Sequence, residues 1–208
     1  AVGAGGIYAS QFHLFSHSIF KALLFLAAGA VIHAVGTRDM REMGGLGKQM
    51  PLVRSVFVVG ALALAGIPVL NGFWSKEMIL EAGLEHGPSW AFYVMLFVAG
   101  ITALYTVRCV WLVFFGQPRS HLHGHDAGPA MRVALVPLAL GALTSWLLIG
   151  AFAEFLHSTL PYHHIEAEDG GHLLMAILSA PATWVAMGVV AIGILCWIAR
   201  ERLRGVSQ

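Results

Sequence analysis

Five stretches of the chain are apolar over the length of a bilayer crossing, and most polar residues are gathered between them. They run over residues 7–35, from 51 to past 70, 89–115, 133–155 and 173–198. A spanning helix needs about 20 mostly apolar residues, so this pattern predicts an all-α membrane protein. The expected architecture is a single transmembrane domain over residues 1–208, a bundle of about five helices without internal repeats.

The second stretch has its own signature. Its helical character continues through FWSKEMILEAGLEH, which makes it too long for one straight span of about 17–25 residues. In its middle stands AGIPVLNGF, where Pro68 lacks a backbone donor and clashes with the preceding turn. The reading is two half-helices joined by an unwound link in mid-membrane. Non-helical backbone at that depth needs protein or water around it, and broken helices mark ion sites in transporters. A functionless proline kink is the plainer alternative.

The loops set the orientation. Arg38, Arg41 and Lys48 follow the first span, with Arg54 just inside the next helix. Arg119 and Arg132 follow the third, and Arg200, Arg202 and Arg204 follow the fifth. The other two loops, EAGLEHGPS and HSTLPYHHIEAEDGGH, hold no Lys or Arg. The positive-inside rule puts the first, third and fifth exits on the cytoplasmic or matrix side.

Composition agrees. Of 208 residues, 58% are hydrophobic and 11% charged, against about a quarter charged in a soluble domain. The net charge of +1 implies no strong electrostatic partner, and the absence of a basic, aromatic-laced stripe excludes nucleic acid. Cys109 and Cys196 sit in apolar runs and read as buried bystander thiols. The chain opens on Ala1 without a charged leader, and is expected to be a piece of a longer protein.

Within the first span His13, His17 and Lys21 recur every four residues, so they share one helix face in steps of about 6 Å. A charged Lys at the bilayer centre costs about 2.5–3.5 kcal/mol on insertion scales. Titratable groups of this kind, joined by water, pass protons along, and a relay is the leading reading. Hydrogen bonding between helices is the bland one. Lys76, with Glu77 beside it, lies just beyond the break and reads either as a second proton station or as a lysine snorkelling to the interface. Arg108 lies toward the cytoplasmic end of the third span, placed for a function or for pairing with a carboxylate outside this chain. His33 lies about 120° around the helix from Lys21, extending the relay or facing water. Glu154 reads as interfacial. The histidines of HLHGHD, and His163 with His164, read as solvated loop residues rather than metal ligands. No nucleotide loop, haem motif or iron–sulfur cysteine pattern is present.

The segments FHLFSHSIFKALLFLAAGAVIH, DMREMGGLGKQMP, ALALAGIPVLNGFWSKEMIL and TALYTVRCVWLVFFG closely resemble the antiporter-like subunits of respiratory complex I, NADH:quinone oxidoreductase. The likeness is nearest to the L-type (chain 5) members, and Mrp-type cation/proton antiporters share the motifs. It covers the whole chain, most densely residues 11–116. The resemblance implies that Lys21 is the central proton-carrying lysine, that His13 and His17 belong to the connecting chain, and that Lys76 is the exit-side lysine of the second broken helix. Sister M-type subunits carry a glutamate there, so WSKE favours the L type. The family's earlier spans, with their paired Glu and Lys, are absent here. Its lateral helix and last span are expected after Gln208.

The function so implied is proton translocation within a quinone-linked NADH dehydrogenase. This chain would carry no cofactor, with flavin, iron–sulfur clusters and quinone in partner subunits. Its neighbours would be other complex I membrane subunits, an M-type sister first among them, in a bacterial inner membrane. A cation/proton antiporter subunit and a scaffold with static buried ion pairs are the alternatives, and the residues leave H⁺ and Na⁺ both open.

Overall fold

A computed structural model describes residues 6–119, 124–160 and 170–206, with side chains through residue 200. Among the described residues every regular element is helical: α1 (Ile7–Val35), α2 (Pro51–Ala65), α3 (Asn71–His86), α4 (Ser89–Val110), α5 (Pro129–Thr144), α6 (Ile149–Thr159), α7 (Gly170–Ser179) and α8 (Pro181–Val206). A π-helical turn, Trp111–Phe115, prolongs α4, and a 3₁₀ turn, Ser145–Leu148, joins α5 to α6. His163 and His164 lie outside the described residues.

Among the described residues four stretches are long and apolar enough to cross a membrane: Ile7–Val35, Ser89–Phe115, Pro129–Thr159 and Pro181–Arg200. Only about a third of each apolar window is buried in the bundle, 28–33%. The rest, including Phe25, Tyr93, Phe97 and Val133, faces outward. In water such surfaces would be an aggregation liability, but against lipid tails they are ordinary helix exterior.

Prolines decide where these helices break. A helical carbonyl accepts from the N–H four residues on, and proline has none to give. Pro68 thus orphans the carbonyl of Leu64. Helix α2 ends at Ala65, the chain turns through left-handed Gly66 (φ 80°), and α3 starts at Asn71. The expected broken second helix is present. Within the link Val69 also takes a positive φ, 77°, a costly conformation for a β-branched residue.

The expected fifth span, 173–198, departs from that reading. Pro181 has no N–H to give the carbonyl of Ile177, which accepts instead from the Thr183 hydroxyl at 2.7 Å and the Ala180 amide at 3.3 Å. The segment is therefore two helices, α7 and α8. The fourth span starts earlier than expected, at Pro129, and is interrupted by its 3₁₀ turn.

The core is continuous along α1, α2 and α5, around Phe20, Leu23, Val53 and Leu135. A second, aromatic cluster packs Phe12 of α1 against Phe73 and Trp74 of α3 and Ile149 of α6. Helices α4 and α8 cross closely because residue 193 is glycine: a Cβ there would lie 2.3 Å from the Gly100 carbonyl oxygen. Small residues at such crossings let two backbones approach without a driving force from water.

Candidate functional site: a lysine–histidine cavity at a helix break

The orphan carbonyl of Leu64 is where the fold becomes chemistry. The ammonium of Lys76, on the second turn of α3, donates to it. A lysine thus occupies the place of the amide that Pro68 lacks. Gly72 permits this geometry, since a Cβ there would fall 1.9 Å from the carbonyl oxygen of Ala63. The start of α3 therefore presses directly on the end of α2.

Lys76 opens into a cavity of about 350 Å³ lined also by His13, His17 and Lys21 of α1, by Leu64, and by Thr102 of α4. The structure brings together the four residues expected to form the relay. His13 Nδ1 and the Ser75 hydroxyl lie 3.0 Å apart, and that hydroxyl donates to the Gly72 carbonyl at 3.4 Å. The imidazoles of His13 and His17 stand 5.6 Å apart between centroids, tilted by 43°.

Glu77 faces away from this cavity and is buried, 6% exposed. Its Oε2 has no partner among the described residues. Glu81 and Glu85 follow on the same face of α3 at steps of four, half-buried and then exposed. The acidic positions thus run from Lys76 to the far end of the helix.

The other two accessory residues lie apart from the cavity. His33 is exposed and packs edge-on to His125, 5.9 Å between centroids, beside a separate pocket of about 420 Å³. Arg108 lines a pocket with Arg41, Arg119 and Arg200.

Several residues of the site escape sequence reasoning. Asn71 is fully buried and donates from Nδ2 to the Ser145 hydroxyl (3.0 Å) and the Ser16 carbonyl (3.3 Å), tying α3 to α1 and to the turn before α6. Asn71 and Ser75 both follow the proline link on α3, and polar residues just after a break were the available signal. Asp126 accepts from the Leu52 (2.9 Å) and Val53 (3.1 Å) amides, capping α2 from 74 and 73 residues away.

The apolar exterior, the proline-broken helix and the Lys–His cavity between α1, α3 and α4 define a membrane-embedded, antiporter-like helix bundle. The family described as NADH:quinone oxidoreductase/Mrp antiporter, transmembrane, matches residues 1–102, and the chain belongs to it. Over 96% of its length it is 38% identical to the F(420)H(2) dehydrogenase subunit L of Methanosarcina mazei. The NADH-quinone oxidoreductase subunit L of Rickettsia felis is 35% identical over 94%. The chain spans about a third of these relatives, 33% and 30% of their respective lengths. Among solved structures, the Mrp complex from Dietzia sp. DQ12-45-1b superposes with a TM-score of 0.67 at 25% identity, covering 95% of this chain and 22% of that one. A membrane-bound sulfane sulfur reductase, an archaeal respiratory membrane complex, shares the fold at TM-score 0.61 and 24% identity, over 90% of this chain and 34% of that one.

Proposed function

We propose that this chain is the proton-conducting part of an L-type membrane subunit in a complex I-like, quinone-linked dehydrogenase. The observation that carries the reading is that His13, His17, Lys21 and Lys76, from two separate helices, line one cavity at the helix break. A structural scaffold needs a partner for each buried charge, ideally a carboxylate. None of the residues lining this cavity is acidic, and a proton shared among amines and imidazoles needs none. In this reading Lys21 is the inner station and Lys76 the exit station, with Glu77, Glu81 and Glu85 leading outward. The redox groups (flavin, iron–sulfur clusters and quinone) belong to partner subunits. An M-type sister is the neighbouring membrane subunit, and the membrane is an energy-transducing one such as the bacterial inner membrane.

The likeness to an Mrp complex favours one second reading, a cation/proton antiporter subunit using the same cavity. One variant tests both. Lys21→Ala in the assembled complex is expected to abolish proton pumping in sealed vesicles and to slow coupled quinone reduction, while His13→Ala and His17→Ala are milder because water bridges one missing step. Normal proton-to-electron stoichiometry in Lys21→Ala overturns the relay. Loss of sodium-driven proton exchange with intact quinone coupling would select the antiporter.

A further inference from the structure

From the arginine pocket at the end of the bundle where α1, α4 and α8 finish, we infer a site for the phosphodiester headgroup of an anionic phospholipid. The pocket, about 290 Å³, is lined by Arg41, Arg108, Leu112, Arg119, Trp197 and Arg200, with no acidic residue among them. Two of the four guanidinium groups have partners: Arg41 is clasped by Asp39 (2.7 Å), and Arg119 donates to the Met40 carbonyl (3.3 Å). Arg108 and Arg200, facing each other from α4 and α8, have no hydrogen-bond or carboxylate partner among the described residues. A guanidinium fork matches the oxygens of a phosphodiester.

The depth fits a headgroup. Arg108 sits seven residues before the end of the π turn at Phe115, about 10 Å inside the helix end. Trp111, exposed one turn further along α4, stands beside it as aromatic residues do at a membrane–water boundary, and buried Trp197 closes the pocket from α8. An acyl chain also has a place to go. On the adjoining face of α4 runs a wholly apolar groove of about 220 Å³, lined among others by Leu62, Val107, Trp111 and Ile194. Both α4 and α8 contribute to both spaces. A soluble anion or a partner's carboxylate would use the arginines and leave the groove unexplained. Basic pockets between helices on the cytoplasmic side are sites where anionic headgroups bind.

The test uses the assembled native complex in phosphatidylcholine vesicles containing a trace of photoreactive phosphatidylglycerol or, in parallel, photoreactive phosphatidylcholine. The glycerol lipid is expected to label the α4 and α8 peptides carrying Arg108 and Arg200 about tenfold more than the choline lipid. Excess unlabelled phosphatidylglycerol should remove that labelling, and inorganic phosphate should not. Arg108→Gln with Arg200→Gln is expected to bring the two lipids to parity, while Arg108→Lys with Arg200→Lys keeps most of the preference. Equal labelling in the wild type, or a preference that survives the Gln pair, overturns the site. Removal by inorganic phosphate would make it a soluble-anion site instead. Absence of labelling in the assembled complex would mean that a partner subunit fills the pocket. The competition arm needs no variant, so a misfolded mutant does not spare the proposal.

Discussion

Lys76 is held by a carbonyl that is free because residue 68 is proline. Its role as a proton station requires a group that can release the proton, whereas a structural plug for the Leu64 carbonyl requires only a donor. Arginine separates the two, since guanidinium donates well and does not deprotonate in proteins. Lys76→Arg is therefore expected to stop proton pumping while the complex assembles, and Lys76→Ala to lose most of it. Lys76→Glu should retain measurable pumping, because a desolvated carboxyl also exchanges protons and in its acid form donates to Leu64. Acidification by inverted vesicles at matched protein levels reads all three. Arginine pumping as well as lysine would make residue 76 a fixed charge.

At the scale of elements, α2 begins without a capping side chain of its own. Pro51 occupies its first position, and the amides of Leu52 and Val53 go to Asp126 from the loop ahead of α5. Burial works against the charged carboxyl. The amides of Leu52, Ala127 and Val53 outweigh it and hold Asp126 below its ordinary 3.8. Removing such a cap costs about 1 kcal/mol. Asp126→Ala should accordingly speed hydrogen exchange at residues 52 and 53 about fivefold, and Asp126→Asn less, since its amide oxygen still accepts. Because the folded-state value is depressed, the stabilisation is complete above the ordinary carboxyl value. It disappears as the pH falls through the lower folded one. The ratio of variant to wild-type exchange should therefore be constant near neutrality and approach one only in strong acid.

The whole molecule shows which helix ends share a side. Arg41 after α1, Arg108 and Arg119 around the end of α4, and Arg200 on α8 meet in one pocket. His33 of α1 meets His125 ahead of α5. All these ends lie at the arginine-rich face, as the loop charges predicted. In a Cys109→Ala/Cys196→Ala background, a cysteine replacing Lys48 should react with an impermeant maleimide only from the cytoplasmic side, and one replacing Ser89 only from the opposite side. The reverse pattern would invert the direction assigned to both lysines. Both positions are exposed. Gly45, in the same loop as Lys48, makes a poor probe site because it has a left-handed φ of 65° and crowds Pro118.

Features that depend on local chemistry are legible along the chain: the apolar stretches, the break at Pro68, the helical stripe of His13, His17 and Lys21, and the alternation of loop charge. Each is a matter of period, of a missing N–H, or of net charge near a membrane, and is complete within one segment. Tertiary structure decided what joins segments far apart in the chain. It placed Lys76 on Leu64 and in the same cavity as Lys21, brought Ser75 to His13, and capped α2 with Asp126. It also sent Arg108 to a separate pocket. The apolar run around Pro181 predicts one span because hydropathy does not register a missing N–H; the helix divides there, and the Thr183 hydroxyl reaches a carbonyl six residues back. Hydrophobic pattern records which residues avoid water. It carries no record of which orphaned donor will find which orphaned acceptor, and in this bundle those pairings position the site.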